Sequence, residues 1–219
     1  ADKPKREVVI LGVDPARTHV VHNAVPRATA RARLGVADAA PNVLFLGRLT
    51  RQKGPAFFLE AAARIGALRP DARFVVAGDG DLRPWLEREA QRLGIGGRVS
   101  FPGFLEGAEV ERAYAAADVY VLPSLSEPFG LTALEALSYD TPVIVSRTSG
   151  VAEALPSSIQ IDHGDVEDLA RQVVRLLDRP DLARELVANC RREIEHLRWE
   201  GVAERLVAIY SSVREVSFA

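Results

Sequence analysis

The sequence predicts an α/β fold built on a doubly wound parallel sheet. Strand-length apolar runs alternate with amphipathic helical patterns along most of the 219 residues. The apolar runs are continuous rather than alternating, which is typical of parallel strands covered on both faces. A composition of 47% hydrophobic and 26% charged residues is ordinary for a globular chain with a sizeable core.

Each element follows from a local pattern. Five strands are predicted, at VLFLGR (43–48), RFVVAG (73–78), RVSFPG (98–103), VYVLPS (119–124) and PVIVSR (142–147). A short further strand is predicted at 19–25, before the first of these. Helical spacing of apolar residues marks the segments after the strands and nearly all of 165–216, with breaks at 178–181 and near Trp199. Residues 1–17 are interpreted as the remnant of an upstream domain or linker, and 18–219 as the domain itself.

Charge and composition exclude several classes of partner. A net charge of −2 gives no general attraction to nucleic acid or to anionic membranes. No transmembrane segment and no export signal are visible, so a cytoplasmic location is predicted, and the lack of Met indicates a cut or processed end. Cys190 lies on an apolar helical stripe and is predicted to be a core residue.

Two loops carry the residues that point to chemistry. Arg48, Arg51 and Lys53 follow the first predicted strand and precede a helix, where cations and unpaired helix N–H groups can bind a diphosphate. A solvated basic turn is the alternative for this triplet. Two acids, Glu127 and Glu135, flank the start of a later helix.

Glu135 lies three to four residues after the first helical positions, so it is expected on the face that points back to the helix mouth. Carboxylates bind pairs of sugar hydroxyls, and a nucleotide sugar has hydroxyls on either side of an anionic centre. By spacing alone, a solvent-facing helical Glu135 and a loop acid at Glu127 are equally good interpretations.

The sequence resembles the carboxyl-terminal, donor-binding half of the retaining glycosyltransferases of family 4, whose two-lobed GT-B fold has Rossmann-like lobes. The resemblance runs from about Thr18 to Tyr210, and its most specific part is the E-x7-E motif from Glu127 to Glu135. The matching blocks are LFLGRLTRQKG, VVAGDGDLR, VSFPGF, AADVYVLPSLSEPFGLTALEAL, SGVAEAL and WEGVAERLVAIY. Two blocks depart from the family pattern: NAVP replaces the usual Asn-Gly-Val/Ile-Asp, and SGVAE lacks the proline of GGxPE.

The resemblance implies a role for each matching position. Arg48 and Lys53 would hold the diphosphate, assisted by the backbone at Leu131 and Thr132. Glu135 would take the ribose hydroxyls. Glu127, with the backbone at Phe129 and Gly130, would hold the donor sugar. Phe104 would lie at the base. Arg48, Lys53 and Glu127 are the predicted catalytic group.

The resemblance also implies an activity and its requirements. The chain would bind a UDP-, GDP- or ADP-sugar and transfer a hexosyl group with retention, without a metal or cofactor, to a sugar, lipid or other acceptor. The acceptor site would lie mainly on a missing amino-terminal GT-B domain, so the isolated chain is expected to be inactive or weakly active. Any peripheral contact with a membrane would also come from that domain.

Further patterns in the sequence bear on metal binding, cofactor binding and alternative functions. Asp79-Gly80-Asp81 matches the D-x-D of metal-dependent glycosyltransferases but is interpreted as a tight turn with an N-cap acid. The four histidines lack metal-ligand spacing, and no G-x-G-x-x-G occurs. The alternatives are an epimerase or phosphorylase of the same architecture, and a nucleotide-binding module without enzyme activity.

Overall fold

The computed structural model describes residues 31–32, 40–194, 203 and 206–211. The strand predicted at 19–25, the upstream remnant predicted at 1–17 and the helix break predicted near Trp199 lie outside them.

Six parallel strands form one sheet in the order β3-β2-β1-β4-β5-β6. The chain moves outward from β1 to β3, then returns to the other side of β1 and moves outward again, which is the order of a doubly wound fold. The predicted fold class is therefore confirmed. The strands are β1 (Asn42–Leu46), β2 (Arg73–Ala77), β3 (Val99–Gly103), β4 (Val119–Leu122), β5 (Val143–Ser146) and β6 (Ile159–Ile161).

Helices connect and cover the strands within residues 40–194. They are α1 (Pro55–Leu68), α2 (Arg83–Arg92), α3 (Ala108–Ala116), α4 (Leu131–Ser138), α5 (Gly150–Ala154), α6 (Val166–Asp178) and α7 (Pro180–Ile194). Short 3-10 turns at Arg51–Lys53 and Gly96–Arg98 precede α1 and β3. The predicted break at 178–181 is confirmed, because α6 ends at Asp178 and Pro180 begins α7.

The apolar periodicity corresponds to the observed core. Phe58 on α1 is buried and packs between Phe45 of β1 and Phe74 of β2, with ring centroids 5.7 and 6.3 Å away. Helix α6 packs beside α1 on the same side of the sheet. Cys190 on α7 is fully buried, as predicted.

Two features of the sheet differ from the expectations. Strand β6 was not predicted, because it has only three residues and a central Gln160 interrupts its apolar pattern. Strand β3 was expected to be covered on both faces, yet it is half-buried and Pro102 is exposed. Because β3 is an edge strand, the missing N–H of Pro102 leaves no partner strand unsatisfied.

No helix in the described part of the chain has the length and apolar character needed to cross a membrane.

Candidate functional site

The carboxyl ends of β1 and β4 lie side by side where the strand order reverses, the usual position of a ligand site in such sheets. The first loop (47–54) follows β1 and the second loop (123–130) follows β4. Hydrogen bonds join them: Leu125 N–H donates to the Gln52 carbonyl at 2.8 Å, and Gln52 Nε2 donates to the Ser126 carbonyl at 3.0 Å. The two loops predicted to bear the chemistry are therefore held against each other.

The structure brings Lys53 and Glu127 into direct contact across these loops. Lys53 Nζ donates to Glu127 Oε2, and the two side chains are only 18% and 10% exposed. The resemblance assigns these two residues to different parts of a ligand, and their pairing was not predicted. Partial burial shields this ion pair from solvent, so each group limits where the other can lie.

Gly54 explains why the first loop can come so close to β4. Its φ of +71° is left-handed, and a Cβ at this position would lie 2.3 Å from the Pro123 carbonyl oxygen. Pro55, at the first helical position of α1, follows directly. Sequence reasoning did not single out Gly54, although the Gly-Pro pair at a helix start was the available signal.

Helix α4 begins at the same edge of the sheet, and Gly130 is its N-cap residue. Gly130 has a φ of +103°, and a Cβ there would lie 2.9 Å from Val151 and 3.0 Å from Leu122. The resemblance assigns the backbone at this glycine to the donor sugar; on the Cβ side, the contacts show that Val151 and Leu122 of the protein itself fill the space. The N–H groups of Leu131 and Thr132 belong to the first turn, so they have no carbonyl partner within α4.

Two buried tyrosines form hydrogen bonds with side chains of α4. Tyr114 on α3 donates its hydroxyl to Glu135 Oε2 at 2.9 Å, and Tyr120 on β4 donates to Thr132 Oγ1 at 2.8 Å. Burial raises the pKa of the Tyr120 phenol far above its usual range, so this group remains a proton donor. No local sequence pattern indicated either role, since a tyrosine within an apolar run is usually a core residue.

The short α5 segment fixes the loop that carries Glu127 and Phe129. Gly150 N–H donates to the Glu127 carbonyl at 2.9 Å, and Val151 N–H donates to the Phe129 carbonyl at 2.6 Å. Ser149 also forms a parallel β-bridge with Glu127. These backbone contacts do not require the proline that SGVAE lacks. Phe129 itself remains 38% exposed.

Arg48 and Phe104 line a cavity of about 210 Å³ at the carboxyl ends of β1 and β2. Both side chains are exposed, Phe104 to 69%. The remaining lining residues are Leu46, Gly47, Ala77, Gly78, Asp79 and Leu105. Pockets for drug-sized ligands occupy roughly 300–1,000 Å³, so this cavity has the size for one planar ring rather than a whole nucleotide.

The Asp79-Gly80-Asp81 segment is a turn, as predicted. Asp79 Oδ1 accepts a hydrogen bond from Gly80 N–H at 2.8 Å. The expected N-cap acid is wrong, because α2 begins at Arg83 and Leu82 is its N-cap residue. Among the described residues, no group of three or more His, Cys, Asp or Glu side chains is arranged to hold a metal ion.

His163 is the histidine that lies within the described residues; His19, His22 and His196 lie outside them. Its Nδ1 is 3.2 Å from the Pro123 carbonyl, and its ring packs edge-on against Phe57 at 4.3 Å. These contacts indicate that His163 packs behind the first loop.

The six-stranded, doubly wound sheet is the fold of one GT-B lobe, as its structural neighbours show. The family described as "Glycosyl transferases group 1" matches residues 26–193. The chain therefore belongs to the glycosyl transferases group 1 family.

Relatives agree with this assignment. An uncharacterized glycosyltransferase of Methanocaldococcus jannaschii is 33% identical over 216 residues, covering 97% of this chain and 55% of that protein. A D-inositol 3-phosphate glycosyltransferase of Geodermatophilus obscurus is 36% identical over 235 residues, covering 98% of this chain and 52% of that protein. The chain thus spans about half the length of the curated relatives it matches.

The fold has a counterpart among solved structures. Anabaena HepE in complex with UDP has a TM-score of 0.72 and 24% identity, with 85% of this chain and 52% of that chain covered. At this identity the similarity shows the fold.

Proposed function

We propose that the chain is the donor-binding half of a retaining glycosyltransferase, which transfers a hexosyl group from a UDP-, GDP- or ADP-sugar to a sugar, lipid or other acceptor. The observation that carries the proposal is the contact of Lys53 with Glu127 beside the amino terminus of α4. Membership of the glycosyl transferases group 1 family supports the class of reaction. The UDP bound by HepE supports a nucleotide ligand.

The diphosphate would bind between cations and helix N–H groups. Arg48 is exposed on the first loop, and Lys53 lies at the end of the same loop. The first-turn amides of α4, at Leu131 and Thr132, add donors and the positive end of the helix dipole. A diphosphate would compete with Glu127 for Lys53.

The two ends of the nucleotide sugar would bind on either side of the diphosphate. Glu135 would accept hydrogen bonds from the ribose hydroxyls, and the ring-sized cavity beside Phe104 suits the base. Glu127, with the backbone of Phe129 and Gly130, would hold the donor sugar. The α5 contacts keep this backbone in place.

The proposed reaction separates charge between the sugar and the diphosphate, and the site has to stabilise these charges. Cleavage of the bond between the anomeric carbon and phosphate builds positive charge on the sugar and negative charge on the departing diphosphate. In this proposal Arg48, Lys53 and the α4 amides would donate hydrogen bonds to that anion, and the reaction would need neither a metal ion nor a cofactor. The acceptor would attack from the face that the diphosphate leaves, which retains configuration, and a phosphate oxygen would take the acceptor's proton.

In this scheme Glu127 orients the sugar and is not a nucleophile. A trapped covalent glycosyl-enzyme, or a kinetic burst of released diphosphate, would overturn this assignment.

The acceptor site would lie mainly on an amino-terminal lobe, so the chain on its own is expected to bind the nucleotide and to turn over slowly or not at all. Robust transfer by the isolated chain would contradict this. The division into a remnant at 1–17 and a domain at 18–219 stays a prediction, as does the cytoplasmic location.

Calorimetric titration with UDP, GDP and ADP, and then with their sugars, tests the proposal. We expect one nucleoside diphosphate to bind, and Arg48→Ala or Lys53→Ala to weaken it at least tenfold, the usual scale for a lost charged hydrogen bond. Arg88→Ala is the matched control, because Arg88 is an exposed cation on α2. Failure of all three nucleotides to bind, or equal losses in the control, would refute the proposed function.

A further inference from the structure

Tyr114 reaches the proposed ribose site from behind helix α4. The residue lies on α3 and is only 1% exposed, yet its hydroxyl is 2.9 Å from Glu135 Oε2, 21 positions along the chain. Glu135 itself is partly exposed. A buried phenol thus binds one carboxylate oxygen of a residue that is partly open to solvent.

The surroundings of Tyr114 make it a rigid donor. Its ring packs edge-on against Tyr120, with centroids 5.8 Å apart, and stacks on Tyr139 at 5.9 Å. Its backbone carbonyl accepts a hydrogen bond from Thr141 Oγ1 at 2.9 Å. Because two aromatic rings pack against the Tyr114 ring and its backbone carbonyl is hydrogen-bonded, the hydroxyl has little freedom to follow Glu135 if that side chain moves.

The bond restricts a side chain that is otherwise flexible. A glutamate has several rotatable bonds, and ordering such a side chain on a ligand has an entropic cost. A hydrogen bond to a carboxylate is among the stronger kinds in proteins. Holding Oε2 in the free protein therefore leaves Oε1 directed in advance, which lowers the cost of binding.

We propose that Tyr114 is a positioning residue that holds the Glu135 carboxylate toward the ribose hydroxyls of the bound nucleotide. This inference rests on the proposed function. It adds Tyr114, which lies on another helix and would not itself contact the ligand. Through Glu135, this residue would set the preference for a ribonucleotide over its deoxy form.

Binding of two ligands to two proteins separates positioning from plain support of the fold. The nucleoside diphosphate that binds best among UDP, GDP and ADP is compared with its 2′,3′-dideoxy form, for the wild-type chain and for Tyr114→Phe. We expect the variant to lose about tenfold in affinity for the ribonucleotide and little for the dideoxy form, because the latter has no hydroxyls for Glu135. Equal losses for both ligands, or none, would overturn the inference.

Tyr120→Phe is the matched control. It also removes one buried phenolic oxygen, but that oxygen bonds Thr132 rather than Glu135. Any loss in this variant should be the same for the ribonucleotide and the dideoxy form. If Tyr120→Phe reduces the preference for ribose as much as Tyr114→Phe does, the effect belongs to the tyrosine cluster and the inference is wrong.

A second measurement needs no change at position 114. With tyrosines labelled at Cζ, the NMR signal of Tyr114 should shift when the ribonucleotide binds and stay nearly in place with the dideoxy form. Equal shifts would contradict the inference. Even then, the proposed function would stand if the wild-type chain binds a nucleoside diphosphate. If the wild-type chain binds none, both the proposed function and this inference are refuted.

Discussion

Lys53 Nζ and Glu127 Oε2 form an ion pair that joins the loop after β1 to the loop after β4, 74 residues apart in the sequence. The pair holds together the two groups that the proposed reaction uses on the diphosphate and on the sugar. Each would have to exchange its partner when a nucleotide sugar binds.

Removing the charge of Glu127 tests this exchange. Glu127→Gln frees Lys53 and removes an acid that repels phosphate, so we expect roughly two- to fivefold tighter binding of the free nucleoside diphosphate, the scale of a partly exposed ion pair. Binding of the intact nucleotide sugar should tighten less, because its sugar no longer has the Glu127 carboxylate as a hydrogen-bond acceptor. Calorimetry measures both.

Glu109→Gln is the control, since Glu109 is exposed on α3. Weaker binding of the free diphosphate by Glu127→Gln, with the control unchanged, would show that the ion pair helps the anion site rather than competing with it.

Loss of Arg48 or Lys53 should slow the chemical step. In a protein that also carries the proposed amino-terminal lobe, with acceptor and donor saturating, either change to alanine should lower kcat by about 10²–10³, or ~2.7–4 kcal/mol of barrier, the typical effect of removing one donor to a developing anion. Rates under single-turnover conditions measure the effect. An unchanged rate with weaker donor binding would assign the residue to binding alone.

Gly54→Ala should destabilise the domain more than its backbone angle alone explains. A left-handed φ costs an L-residue about 1–2 kcal/mol, and the added Cβ would also overlap the Pro123 carbonyl oxygen, 2.3 Å away. Gly94→Ala isolates the first effect, because Gly94 has a φ of +73° and nothing within 4 Å of the added Cβ. Urea unfolding of both variants measures the difference; equal losses would show that the contact yields at little cost.

Cys190 should make stability depend on alkaline pH. Burial raises the pKa of its thiol from 9.0 to about 12, with Glu193 adding to the shift. Above pH 9 the unfolded chain releases this proton while the folded chain keeps it, so the free energy of unfolding falls as the pH rises toward 12, by at most about 1.4 kcal/mol per pH unit. The fall should be smaller by that amount in Cys190→Ala, measured by urea unfolding at several pH values. Identical slopes would contradict the raised pKa.

The sequence by itself determined the architecture. Continuous apolar runs and helical spacing are local properties, and they located five strands, the helix break at 178–181 and the burial of Cys190. Strand β6 was not predicted because three residues are too few to show a periodic pattern. The βα alternation predicted a doubly wound parallel sheet, whereas the order of its strands came from the structure.

The sequence also indicated which residues lie at the carboxyl edge of the sheet, because loops that follow parallel strands gather there. It could not determine which of their side chains meet. The contacts of Lys53 with Glu127 and of Tyr114 with Glu135 depend on loop shape and rotamers, and these are set by distant packing such as Gly54 against Pro123. Local periodicity carries no information about such pairs, so only the tertiary structure decided them.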